Sequence, residues 1–176
     1  MHTSAALPSS LSKSKLGGGA PFGPALRVLR GLLLTAVAAC AVGAGTAQAQ
    51  EPTTAQETLR TVQLSAGIHV IHAEIANTDE TRRRGLMFRK ALEANDGMLF
   101  VFGDPDMQCF WMHNTPLPLS IAFIADDGTI VNVAEMAPET DDTHCSKKPV
   151  RYALEMSKGW FADHGISAGK KIDGLP

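Results

Sequence analysis

The chain has 176 residues, 44% of them hydrophobic and 19% charged, and its formal net charge of −2 conceals two unlike parts. Residues 1–49 carry Lys13, Lys15, Arg27 and Arg30 and no acid, a charge of +4, while the remaining 127 residues set 12 Lys and Arg against all 18 Asp and Glu, a charge of −6. A remainder of that size and composition excludes a multidomain enzyme, a coiled coil or a disordered acidic tail, and its acidity argues against nucleic acid, which needs a basic face.

The first part reads as a secretory leader. Arg27-Val28-Leu29-Arg30 supplies the basic region, Gly31 to Val42 the apolar run, and Ala47-Gln48-Ala49 an A-x-A cleavage site. Residues 1–49 are therefore expected to be removed, with a lead-in over 50–57 and one globular domain over 58–176, periplasmic or secreted. Two other readings compete. Gly31 to Ala47 could stay as an anchor, although it falls short of the ~20 apolar residues that span hydrocarbon. Val37-Ala38-Ala39-Cys40 could be a lipoprotein box. The long start also leaves open that Met1 is not the true start codon. After cleavage no transmembrane span is expected.

Export decides how the cysteines are read. Cys40 leaves with the leader, and Cys109 and Cys145 remain as an even pair in an oxidising compartment, which points to a disulfide. Two free thiols or a metal site are the competing readings.

Along the domain, Glu51 to Thr58 is polar and aperiodic and reads as a loose lead-in. Leu59 to Leu64 and Ile68 to Ala76 alternate apolar and polar residues around Gly67, the pattern of a hairpin. Asn77 is placed to cap a helix over Thr78 to Arg84, with Glu80 three residues on, acids first and Arg82, Arg83 and Arg84 last, as the helix dipole favours. Gly97 to Phe102 is a continuous apolar run suited to a strand buried on both faces. Phe110-Trp111-Met112 forms a second apolar cluster. Leu119 to Ala125 and Thr129 to Met136 flank Asp126-Asp127-Gly128 as a hairpin. Ala137 to Lys148 is a polar loop, Val150 to Met156 a strand, Trp160 to His164 a short helix stopped by Gly165, and Ile172 the centre of a last short strand. Six or seven strands with two short helices make an α+β domain of mostly antiparallel β structure, either a compact sheet or a partly closed barrel.

Three stretches, taken together, resemble one family. They are Arg83-Arg84-Gly85-Leu86-Met87-Phe88-Arg89 leading to Gly97 to Phe102; Phe110-Trp111-Met112-His113-Asn114-Thr115 leading to Pro118-Leu119 and Ile121 to Ile124; and Tyr152 to Met156 leading to Gly159-Trp160 and Gly165-Ile166. Their order and spacing resemble domain of unknown function 192, over about Leu59 to Ile172. The resemblance implies a small, often exported, mostly β domain of no established activity. His113 stands where Lys or Arg is expected in that family, and Ser120 where Asp is common.

Candidate sites follow from residue chemistry. Trp111 and Asn114 could wall a ligand or peptide pocket, with an aromatic body for contact and an amide for orientation, while Phe110 and Met112 alternate into the core. Glu155 interrupts an apolar strand and could be buried beside Arg151 as a pair. The reading is thus a binding module, its groove near Trp111, Asn114, Arg151 and Glu155, for an unknown small molecule or envelope protein and without a cofactor. A first alternative is copper(I) handling through Met107, Cys109, His113, His144 and Cys145, since thioether, thiolate and imidazole suit that ion. A second is a hydrolase assembled from His144, Ser146, Glu155, Asp163 and His164, although no hydrolytic motif surrounds them. His69 and His72 point to opposite faces of a strand and are expected at the surface or an edge. The basic run Arg82 to Arg84 with Arg89 and Lys90 could hold an anion but suits a solvated helix end, and Glu139, Asp141 and Asp142 lack the spacing of a calcium loop.

Overall fold

The computed structural model describes residues 53–176. The leader, its cleavage site after Ala49, the lipoprotein box at Cys40 and the anchor reading all lie outside the described residues. No helix among the described residues is long and apolar enough to cross a membrane.

A six-stranded sheet is built from β1 (Thr61–Ala66), β2 (His69–Ala76), β3 (Asp96–Asp106), β5 (Leu119–Ile124), β6 (Ile130–Met136) and β8 (Val150–Ser157), in the spatial order β1-β2-β3-β8-β5-β6. It is open rather than closed into a barrel. Both expected hairpins form, β1 with β2 and β5 with β6. All neighbours are antiparallel except β2 and β3, which run parallel, because the chain crosses between them through α1 (Asp79–Arg84). β8 inserts between β3 and β5 and completes the sheet. The expected last strand at Ile172 is reduced to isolated bridges, Thr129 with Lys171 and Ser65 with Asp173.

The β5–β6 turn is fixed by Asp127, which accepts hydrogen bonds from the Thr129 backbone N–H and hydroxyl, both at 2.9 Å. Those bonds hold its carboxyl below the usual range. α1 begins one residue later than the sequence pattern suggests. Thr78, not Asn77, is its cap, and Thr81, not Glu80, completes the capping box: the two hydroxyls accept from each other's backbone N–H. Two threonine hydroxyls meet the orphan donors that the longer glutamate was expected to meet.

The two sheet faces carry separate cores. One gathers Leu64, Ile71, Leu99, Leu154 and Met156 under Trp160 and Phe161 of α2 (Trp160–Asp163). The other gathers Met98, Phe100, Ile121, Phe123 and Ala153 under Leu86 and Met112. Period-two alternation along β8 sends Tyr152, Leu154 and Met156 to the first face and Ala153 to the second. Glu155 shares Ala153's parity and so faces the second core.

His69, expected at the surface or an edge, stands at the start of β2. It is half-buried, with its ring 4.5 Å from that of His164 and 6.3 Å from that of Trp160. His72 is exposed beside Asp96. Ser120, the position where the family resemblance suggested Asp, is fully buried. Its hydroxyl donates to Glu135 Oε1 at 2.7 Å and accepts from the Gly159 N–H at 2.8 Å, tying β5 to the turn before α2.

The second sheet is a two-stranded ribbon of β4 (Cys109–Phe110) and β7 (His144–Cys145), closed by the Cys109–Cys145 disulfide across directly paired positions. The bond spans 36 residues of sequence. Restricting so long a loop in the unfolded chain stabilises by about 2–4 kcal/mol. Replacing both cysteines by serine is expected to lower the urea-unfolding free energy by about that amount, with little change of fold.

Candidate active cleft

The second core opens to solvent at a small cleft with about 40 Å³ of interior space. One side is the C-terminal end of α1 and the turn after it, contributing Arg82, Arg83, Arg84, Leu86 and Met87; the other is the end of β4 and the segment after it, contributing Phe110, Trp111 and Thr115; Phe100 and Glu155 come from the six-stranded sheet.

Each wall is held for a local reason. α1 ends at Gly85, at φ 47°, where a Cβ would stand 3.3 Å from the Phe100 ring. A glycine therefore lets the helix end close onto the core. The Gln56 side-chain amide donates to the Thr81 and Gly85 carbonyls, capping that end and anchoring the lead-in at this residue. On the opposite wall the 112–115 segment is tied twice to the 137–142 loop, Met112 N–H to the Thr140 carbonyl at 2.9 Å and Glu139 N–H to the Thr115 carbonyl at 3.0 Å. The two walls are joined directly: Phe88 N–H donates to the Asn114 carbonyl at 2.7 Å. Phe88 and Asn114 both hold positive φ, 60° and 53°. Left-handed backbone is uncommon for a residue as bulky as phenylalanine, and here it lies where two of the signature stretches meet.

The charges at the rim are mostly matched. Arg82 pairs with Asp79, donates to the Val101 carbonyl at 2.7 Å and lies 5.3 Å over the Phe102 ring. Arg84 approaches Glu80 at 3.7 Å. Arg83 is exposed and has no ion-pair partner among the described residues. Arg89 turns away to Glu74, whose Oε2 also accepts the Leu59 N–H. Half of Trp111 is exposed (51%), and its ring stacks on His113 at 4.9 Å between centroids. His113 Nδ1 in turn meets Asp141 Oδ1 at 2.8 Å.

Glu155 is the unusual member. Only 4% of it is exposed. It stands opposite Met98 on β3 and Ile121 on β5, and no side-chain or backbone donor among the described residues hydrogen-bonds its carboxyl. Burial alone pushes that carboxyl up to about 8. It is a neutral acid at physiological pH, able both to donate and to accept a hydrogen bond.

Of the residues singled out from sequence, the fold brings Trp111 and Glu155 to one cleft. Asn114 serves the wall through its backbone. Arg151 is elsewhere: it pairs with Asp126 and donates to the Gly103 carbonyl, so the expected Arg151–Glu155 pair does not form. The two share a strand face, but four residues along a strand span ~13 Å, too far for an ion pair. Of the copper set, Cys109 and Cys145 are joined to each other, Met107 is half-exposed, and His113 is engaged by Asp141. No group of three or more His, Cys, Asp or Glu among the described residues has a metal-holding arrangement. The hydrolytic set is dispersed. His164 and Asp163 sit at α2, Ser146 is buried with its hydroxyl accepting from Gln108 N–H, His144 lies in the ribbon, and none of these lines the Glu155 cleft. The contribution that sequence reasoning missed is the cleft-lining role of Arg83, Thr115 and Phe100. The arginine run and the signature stretches were visible, but not that the fold sets them face to face.

This open sheet, with the signature stretches converging on one cleft, defines a small α+β domain of the DUF192 class. The chain belongs to that family, described as uncharacterized ACR, whose model matches residues 61–174. Among solved structures, it is similar to a protein of Sinorhizobium meliloti 1021 crystallised as a candidate transcription regulator, at 34% identity and TM-score 0.64, covering 68% of this chain and 97% of that one. It is also similar to a protein of unknown function from Novosphingobium aromaticivorans DSM 12444, at 35% identity and TM-score 0.63, covering 65% and 86% respectively. No curated protein matches the chain significantly.

Proposed function

We propose that the protein is an exported, non-catalytic binding module of the bacterial envelope, which seats a small ligand, or a small group of a larger partner, in the cleft between α1 and the Phe110–Thr115 segment. The observation that carries this reading is Glu155: a carboxyl nearly sealed from water, without a protein donor, lining an open cleft beside an exposed tryptophan. A ligand that hydrogen-bonds Glu155 and packs on Trp111 supplies the partner that the described residues do not. The basic leader and the disulfide support export. The −6 charge of residues 50–176 disfavours a nucleic-acid face here.

The test is a fragment screen by NMR on the wild-type chain and on Trp111→Ala, chosen because so exposed a side chain can be removed with little loss of stability. Fragments that shift the Trp111, Thr115 and Phe100 resonances, and bind about tenfold more weakly to Trp111→Ala, are expected. Hits confined to other surfaces, or affinity unchanged by the substitution, would overturn the assignment.

A further inference from the structure

We infer that the cleft takes the carboxylate of a small organic acid, received between the Glu155 carboxyl inside and the unpaired Arg83 at the rim. This rests on the binding reading above and narrows it to one chemistry.

The charges around the cleft decide its sign. From α1, Arg82 and Arg84 are each balanced by an acid of the same helix, Asp79 and Glu80, which leaves Arg83 as the uncompensated charge. From β3 and β5, the positions opposite Glu155 are Met98 and Ile121, both apolar. From the far wall, Trp111 and Thr115 are neutral, and the His113 to Asp141 contact stands behind the tryptophan. The rim is thus positive and the interior neutral.

A cationic ligand would meet Arg83 on entry and would need Glu155 to ionise where burial opposes it. A carboxylate is attracted by Arg83 at the rim, which offsets the desolvation of its own charge, and it leaves Glu155 protonated. Glu155 keeps its proton and donates it in an O–H···O⁻ bond, a short, charge-assisted contact that gains strength in a site of low dielectric. The Thr115 hydroxyl already donates to the His113 carbonyl at 3.2 Å, so Glu155 is the interior donor. About 40 Å³ of interior space admits little more than the carboxylate group itself, and the exposed Trp111 face beside it suits a short hydrocarbon stem.

The experiment titrates acetate, and separately methylammonium, into the full chain at about pH 6.5 and about pH 9.5, following the Trp111, Thr115 and Phe100 resonances. Saturable acetate binding is expected at the lower pH, weakened at least about tenfold at the higher, where Glu155 loses its proton. Glu155→Gln keeps a donor and is expected to bind acetate with that pH dependence abolished. Arg83→Ala, at an exposed position, is expected to weaken acetate several-fold at both pH values. Absence of saturable acetate binding, or binding indifferent to both substitutions, overturns the inference. Saturable methylammonium binding that tightens as pH rises would overturn the carboxylate assignment while leaving the cleft as a binding site. A cleft silent to both probes and to the fragment screen would overturn the binding reading as well.

Discussion

Raising the pH from about 4.5 to about 8 is expected to remove about 4 kcal/mol of stability from the folded protein through Glu155 alone, most of it already lost at neutrality. The sign follows from linkage. The carboxyl titrates near its ordinary value of 4.5 when unfolded and near 8 when folded, because burial disfavours the charged form. Below 4.5 both states hold the proton and nothing is lost. Between the two values the unfolded chain releases its proton while the folded chain retains it, so the unfolded state gains. Above 8 both are ionised and the loss levels off. Against a total stability of about 5–15 kcal/mol for a domain of this size, the effect is large. It is isolated by comparing urea unfolding of wild type and Glu155→Gln across this range: the wild-type free energy is expected to fall relative to the variant as pH rises. Parallel curves would mean that the carboxyl is not sequestered.

Phe100→Ala is expected to cost about 3–5 kcal/mol. The ring is almost wholly buried and meets Phe110 edge-on at 4.8 Å between centroids. It also packs against the α1 end at Gly85, where an added Cβ would crowd the ring at 3.3 Å. Its loss leaves a cavity between the helix end and the sheet, directly at the cleft, so both the transfer and the cavity contributions apply. Chemical unfolding measures the first effect. A shift of the Trp111 and Thr115 resonances in the variant reports the second, since the cleft loses part of its lining.

Much of the sheet was legible because its signals are local. Alternation in β1, β2, β5 and β6, the glycine and aspartate turns, and the apolar runs of β3 and β8 each depend on a few adjacent residues. What could not be read is the pairing between distant strands: that β2 and β3 run parallel, and that β8 enters between β3 and β5. The cap of α1 lies one residue beyond the Asn77–Glu80 box that the sequence suggested, with Thr78 and Thr81 capping each other instead.

The site was half legible for the same reason. Trp111 and Glu155 stand out in sequence, one as a large aromatic beside a polar amide and the other as a carboxyl in an apolar strand. Their meeting depends on the fold, through the disulfide ribbon, the 137–142 loop and the Phe88–Asn114 hydrogen bond. Arg151 lies apart from Glu155 because four residues along a strand separate two side chains of one face by ~13 Å. Its true partner, Asp126, comes from the turn between β5 and β6.

The most direct measurement of the central claim, that Glu155 is an unpartnered neutral carboxyl lining an open cleft, is the pH titration of its side-chain carboxyl by ¹³C NMR. A midpoint near 8, moving upward when acetate occupies the cleft, is the expected result. A midpoint near 4.5, unmoved by acetate, would contradict the account.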